Sequence, residues 1–207
     1  MRLKKKTKRV LIIILLILVV VLGFLTYQNL FKTKEVKEAK IVNEIKEYGY
    51  KLKDNKPAAY KKMFEELKEI LEADKVDEEA YAKKISEMFV YDFYSLNDKV
   101  SKTDIGGVDF VHKDILENFL QNAQSTYYKY VENNIYGNRK QALPVVSNIK
   151  VNSVKQESFK YGDETDEEAY IVNMSWSYTN GQFADYQKEG KLVFVHDGNK
   201  LSLVELQ

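Results

Sequence analysis

The feature that most constrains this chain is residues 10–25, VLIIILLILVVVLGFL, an unbroken apolar run behind the basic leader MRLKKKTKR. With Thr26 and Tyr27 it reaches about 18 residues, roughly 27 Å as a helix, close to the hydrocarbon thickness of a bilayer. A helix satisfies its own backbone polar groups, so this segment is expected to cross lipid. Arg2, Lys4, Lys5, Lys6, Lys8 and Arg9 precede the run and predict a cytoplasmic N-terminus, which puts the C-terminal mass outside the cytoplasm. Tyr27 stands where an aromatic interface anchor belongs, with Lys32 and Lys34 just beyond. Val21-Leu22-Gly23 is a weak small-residue cleavage site, and the run outlasts the about 7–15 apolar residues of a signal peptide. A retained anchor is therefore expected, with a basic cytoplasmic tail over 1–9 and a transmembrane helix over 10–27. A helical stalk over 28–47 and an extracytoplasmic domain over 48–207 complete the expected order.

Charge is divided unevenly along the chain. The first nine residues hold six of the 32 basic groups and none of the 31 acidic ones, leaving 26 basic against 31 acidic, a net −5. That balance lacks the basic footprint of a nucleic-acid binder, so no nucleic-acid partner is expected. The absence of cysteine removes disulfides, thiolate metal sites and a lipidated-cysteine anchor. A domain outside the cytoplasm must then hold together by its core alone.

Beyond the anchor, 34–47 is charged and helical in pattern, with Ile41, Ile45, Tyr48 and Leu52 at helical spacing. Asn55 suits a cap and Pro57 the first turn of a helix over 57–73, whose apolar face is Tyr60, Phe64, Leu67 and Leu71. Asp77 is a candidate N-cap for a third helix, ending near Asn97, with face Tyr81, Ile85, Met88, Phe89 and Phe93. Gly106-Gly107 lacks the G-x-x-x-x-G-K-[ST] frame of a phosphate loop and reads as a turn needing positive φ. A fourth helix is expected over 110–132, from the stripe Ile115, Phe119, Ala123, Tyr127 and Val131.

After Pro144 the period falls from 3.6 to 2. Strands are expected over 143–159 (one strand, or two with a bulge), 170–178, 186–196 and 201–206, with 162–168 as a turn and Asp197-Gly198 as a hairpin. Helices followed by a strand meander define an α+β class, with helices packed on a curved antiparallel sheet of about four strands.

Catalytic and cofactor motifs are missing. His112 and His196 are the only histidines and suit surface or capping roles, no G-x-S-x-G occurs, and 163–168 lacks the ligand order of a calcium loop. No cofactor, no metal and no enzymatic activity are expected. The aromatic residues form the one constellation worth weighing. Tyr127, Trp176 and Tyr178 would line a ligand pocket if the helices cup the sheet, or would pack as an aromatic core. The polar segment 133–141 stands at the mouth of such a cavity, as a contact surface or a plain loop.

This order of elements resembles the exported domains of the nuclear-transport-factor-2-like superfamily, over about residues 36–207. In bacteria these include single-pass scaffold proteins of type IV secretion and conjugation machines. The resemblance is one of architecture and implies a strand pair between the early helices, for which residues 48–52 are the candidate. It implies a non-catalytic scaffold or interaction module in an envelope or transfer assembly. Its partners would be the bilayer and other membrane or envelope proteins, including a second copy of itself. A small-molecule or peptide-binding module is the alternative.

Overall fold

A computed structural model describes residues 5–30, 39–183 and 185–207, with side chains in the first helix described for 14–27. The chain divides into two units, Met1–Lys37 and Glu38–Gln207. The first unit contains α1, Lys5–Leu30, 26 residues long. Its described side chains, 14–27, are all exposed. Among the described residues no helix is long and apolar enough to cross a membrane. The fourteen described side chains of α1 account for about 21 Å of helix.

The second unit opens with a hairpin rather than a stalk. Strand β1, Ile41–Ile45, turns through a 3-10 segment, Lys46–Tyr48, and pairs antiparallel with β2, Tyr50–Lys53. The helix expected over this stretch is thereby corrected for 41–47, while the part of the stalk at 31–38 lies outside the described residues. Ile45 and Leu52 share an apolar face, as the helical reading required, but they come from opposite strands. Gly49, at φ +67°, permits the reversal, and Ile41, Val42 and Ile45 are β-branched residues suited to a strand.

Three helices follow. In α2, Ala58–Leu71, the expected stripe Tyr60, Phe64, Leu67 and Leu71 is buried. Pro57 stands one position before the first turn, at the cap that Asn55 was expected to fill. In α3, Glu78–Tyr94, the Asp77 carboxylate accepts from Ala80 N at 3.0 Å, as an N-cap should. The third helix, α4, Lys113–Ser125, is shorter than its apolar stripe. A 3-10 turn at Val108–Phe110 precedes it, and His112 caps it through Nδ1, which accepts from Asp114 N at 3.3 Å. At its other end the Thr126 hydroxyl donates to Asn122 O at 2.6 Å and the backbone leaves the helical region. Tyr128 and Val131 are nonetheless buried, so the stripe continued through a change of backbone conformation.

The meander is β3, Val146–Tyr161; β4, Glu164–Tyr178; β5, Glu189–Asp197; and β6, Lys200–Leu206. The four strands lie antiparallel in sequence order. The turn expected over 162–168 is only Gly162-Asp163; residues 164–168 belong to β4, with Tyr161 opposite Glu164 and Phe159 opposite Asp166. Charge alone does not bar a strand whose carboxylates reach solvent or a partner.

The α+β class and the four-stranded antiparallel sheet are therefore as expected. The core joins α2 and α3 to Val172, Met174 and Trp176 of β4, Leu192 and Phe194 of β5, and Leu201 and Leu203 of β6. Gly106-Gly107 serves that packing. Gly107 has φ +75°, and a Cβ on Gly106 would lie 2.0 Å from the main-chain oxygen of Asp92.

Candidate interaction surface

An amphipathic helix normally buries its apolar face, yet within α4 only Ala123 is fully buried. Ile115, Leu116, Phe119 and Leu120 are half-buried. The uncovered part of this face borders β6, the last strand of the sheet, and leaves an open groove of about 310 Å³. Phe93, Ile115, Phe119, Leu203 and Leu206 give the groove an apolar floor, and Asn118, Asn122 and Thr126 give it a polar rim. Strand β6 meets one short partner on its outer side, where Val111 bridges Leu203 and His112 N donates to Leu203 O at 2.9 Å. Beyond Leu203 no described strand pairs with that edge. The arrangement matches the chemistry of a protein contact, an apolar floor beside backbone groups open to pairing.

The segment after α4 is held in place while displaying bulky side chains. Arg139 donates from Nη1 to Lys99 O at 2.8 Å and from Nη2 to Asn97 O at 2.8 Å. Asn134 Oδ1 accepts from Arg139 N at 3.0 Å, and Gln141 Nε2 donates to Tyr130 O at 2.8 Å. On this braced loop Tyr130, Ile135 and Tyr136 are exposed, Tyr130 to 75 %. Segment 133–141 was expected at a cavity mouth, and it borders the buried polar cluster instead.

That cluster is built on Asp92, 5 % exposed in the middle of the helical layer. Its Oδ1 accepts from Lys56 Nζ at 2.6 Å and Lys99 Nζ at 2.8 Å, and its Oδ2 accepts from Gly107 N at 2.8 Å. Burial opposes the carboxylate charge, but Lys99 and then Lys56 outweigh it and hold the group down at about 2. Lys99 is buried as well; burial works against its charge, and Asp92 followed by Asp98 raises it. A narrow cleft of about 110 Å³ adjoins these groups, but every charge of the trio is already paired. The cluster reads as a structural tie among α3, the Lys56 segment and the Gly107 turn.

Tyr127, Trp176 and Tyr178 do come together, as a packed and mutually bonded group. Tyr127 and Tyr178 hydroxyls lie 3.2 Å apart, and Trp176 Nε1 donates to Tyr178 OH at 3.1 Å. Tyr178 OH donates to Gln187 O at 2.8 Å, and Tyr127 OH to Tyr94 O at 3.2 Å. The Tyr94 and Trp176 rings are 4.5 Å apart, and Tyr186 closes on Tyr127 at 5.7 Å. Burial, together with the neighbouring hydroxyls, pushes the Tyr127 phenol far up. A further open cleft of about 540 Å³ lies between the β1 hairpin and the end of α2, with Glu44, Glu47, Glu72 and Asp74 in its lining. None of these three clefts is lined by Tyr127, Trp176 or Tyr178.

Of the topological residues, Arg2 and Lys4 lie outside the described residues. Lys5, Lys6, Lys8 and Arg9 are described as helix α1 in backbone only. Among the described residues no group of three or more His, Asp or Glu is placed to hold a metal ion. Sequence reasoning placed Phe119 in the core and missed the groove; the signal was available in β6 being the last strand, hence an edge. The Asp92 trio had no such signal, because Lys56 lies 36 positions away. Compared with known proteins, the chain matches no family model, no curated protein and no solved structure.

Proposed function

We propose that this is a single-pass membrane protein whose second unit stands outside the cytoplasm and acts as a non-catalytic contact module in an envelope or transfer assembly. The groove between α4 and β6 carries the reading, because it leaves apolar side chains and a strand edge uncovered on an otherwise well-packed domain. The anchor rests on sequence: residues 10–25 are uncharged and apolar, and with Thr26 and Tyr27 they would reach roughly 27 Å as a helix. Its described side chains are exposed and apolar except Thr26 and Tyr27, and the Thr26 hydroxyl bonds back to Leu22 O at 2.9 Å. Lipid would cover such a surface without any protein partner.

The plan of the second unit supports a likeness to the nuclear-transport-factor-2-like superfamily, including the single-pass scaffolds of type IV secretion and conjugation. The β1–β2 pair stands ahead of α2 rather than among the helices of the domain, so the likeness rests on helices followed by an antiparallel meander. The ligand-pocket alternative finds less support, since the three aromatic residues it relied on hydrogen-bond to one another.

The test is site-specific photo-crosslinking in intact cells, with the reactive group at Asn122 on the groove rim and a control at Glu157 on β3. A membrane or envelope protein, or a second copy of the chain, is expected to be captured at 122 and not at 157. A chain that stays uncrosslinked at both positions while fractionating with membranes overturns the contact role. Loss from the membrane fraction overturns the anchor.

A further inference from the structure

His196, near the end of β5, is surrounded by acids on two neighbouring elements. Asp166 Oδ2 on β4 accepts from His196 N at 2.7 Å and lies 2.8 Å from the ring Nδ1. The other ring nitrogen, Nε2, is 3.4 Å from Glu78 Oε2, at the first residue of α3. The same Glu78 oxygen accepts from Tyr170 OH at 3.2 Å. Asp77, the cap of α3, and Glu168 of β4 act on Tyr170 through their charge, Asp197 follows His196 along β5, and Tyr48 of the first hairpin lies within the field of Glu78. The groups meeting the ring are thus two carboxylates and a phenol, on α3 and β4.

A neutral imidazole has one N–H and one lone pair, so it can donate to only one of two carboxylates. With both ring nitrogens facing carboxylate oxygens, the form that satisfies the pair is the imidazolium.

We propose that His196 is a charge-dependent clasp that, as an imidazolium, ties the start of α3 to β4 and, when deprotonated, releases Glu78.

Burial of the ring opposes its charge, but Asp166 and then Glu78 outweigh it and raise the imidazole above its ordinary 6.5. Because the folded-state value is raised, the stabilisation is complete below the unfolded value of about 6.5 and is lost as pH rises through the folded value. Asp166 is lowered overall: burial acts against it, and the His196 backbone and ring, with Glu168 N, prevail. It therefore stays ionised throughout this window and keeps hold of the His196 backbone N–H. The half that opens is the one to Glu78, whose side chain is 49 % exposed. The clasp thus loosens α3 from its first turn, beside Tyr48 and the hairpin that begins the domain, where the Tyr48 and Tyr81 rings lie 5.8 Å apart.

The full chain in detergent micelles provides the test, by imidazole NMR and amide hydrogen exchange corrected for intrinsic rates. The His196 ring is expected to titrate above 6.5. Protection of the α3 first turn, relative to Ile85–Phe89 in the same helix, should fall about two- to fivefold through the same midpoint, the range of a partly exposed ion pair. Glu78→Gln, at an exposed site, should lower the His196 midpoint and remove the pH dependence of α3 protection. His112 is the other histidine, and its own resonance distinguishes the two. A His196 midpoint at or below 6.5, or a protection ratio that does not change across the midpoint, overturns the clasp. A Glu78→Gln chain that keeps the wild-type midpoint overturns it equally.

Discussion

Helices α3 and α4 carry the same kind of sequence signal and meet different surroundings. In α3 the stripe Tyr81, Ile85, Met88, Phe89 and Phe93 is buried, and so are Ala82, Ser86 and Val90 on its other side. This helix is covered by α2 on one side and by the sheet on the other, and even Ser86 finds a partner, donating to Ala82 O at 2.6 Å. In α4 the equally regular stripe Ile115, Phe119 and Ala123 touches α3 through Phe119, 5.2 Å from the Phe93 ring, but is otherwise left to the sheet edge and solvent, and only Ala123 is fully buried. Periodicity reports which face of a helix is apolar. It does not report what stands opposite, and that decides whether the face is core or contact surface.

The sharpest test of this contrast is truncation in α3. Phe89 is fully buried, stacks on Phe93 at 5.4 Å and sits under Gly107. Phe89→Ala should destabilise the domain by about 3–5 kcal/mol, from lost burial plus the cavity left behind. Denaturant unfolding followed by tryptophan fluorescence at Trp176 would measure it, and a loss under about 1 kcal/mol would show that α3 is not covered on both sides.

The buried trio comes next. Lys99→Ala leaves Lys56, the more exposed lysine, as the one cation on Asp92, so a loss of about 3 kcal/mol is expected. The trio also sets acid stability. Asp92 is held at about 2 against an ordinary 3.8, so its stabilisation is complete above 3.8 and lost as pH falls through 2. Lys99→Ala should move the acid unfolding midpoint upward; an unchanged midpoint would mean that other carboxylates govern acid denaturation.

Much of this fold is legible in the sequence. The α2 stripe, the Asp77 cap and the four-strand meander follow from spacing and turn chemistry, because local rules decide them. The failures lie where tertiary partners override local pattern. Residues 41–47 spread apolar groups at spacings that fit helix and hairpin alike, and pairing with Tyr50 and Leu52 decided for the hairpin. Residues 164–168 looked like a turn because they are acidic, yet Asp166 is held by His196 from the next strand. The α4 groove had only the faint signal of β6 as the last strand, while the Lys56–Asp92 and His196–Glu78 contacts join residues dozens of positions apart, which no single-sequence pattern records. The aromatic group Tyr127, Trp176 and Tyr178 was legible as a cluster, since alternation put Trp176 and Tyr178 on one face. Its hydrogen bonds were not.

A milder perturbation probes that cluster. Tyr178→Phe removes the hydroxyl that links Trp176, Tyr127 and Gln187 while keeping the ring. A loss of about 1 kcal/mol is expected, with a shift of the Trp176 emission as Nε1 loses its partner. A loss near zero with unchanged emission would mean that water replaces the hydroxyl, and that the cluster has room it does not show.

The smallest effect on folding should accompany the largest effect on contact. Asn122 is exposed on the groove rim, one turn beyond Phe119. Asn122→Arg places a long cation over the apolar floor without touching the core, so stability should change by no more than about 0.5 kcal/mol. If the groove receives a partner, the same change should abolish crosslinking from a reactive group at Asn118, because the cation must either be desolvated or block the floor. Undiminished crosslinking alongside unchanged stability would move the contact away from α4 and β6, leaving the braced loop with Tyr130, Ile135 and Tyr136 as the surface to probe. α4 would then resemble α3 in one respect, a helix whose role ends with the fold.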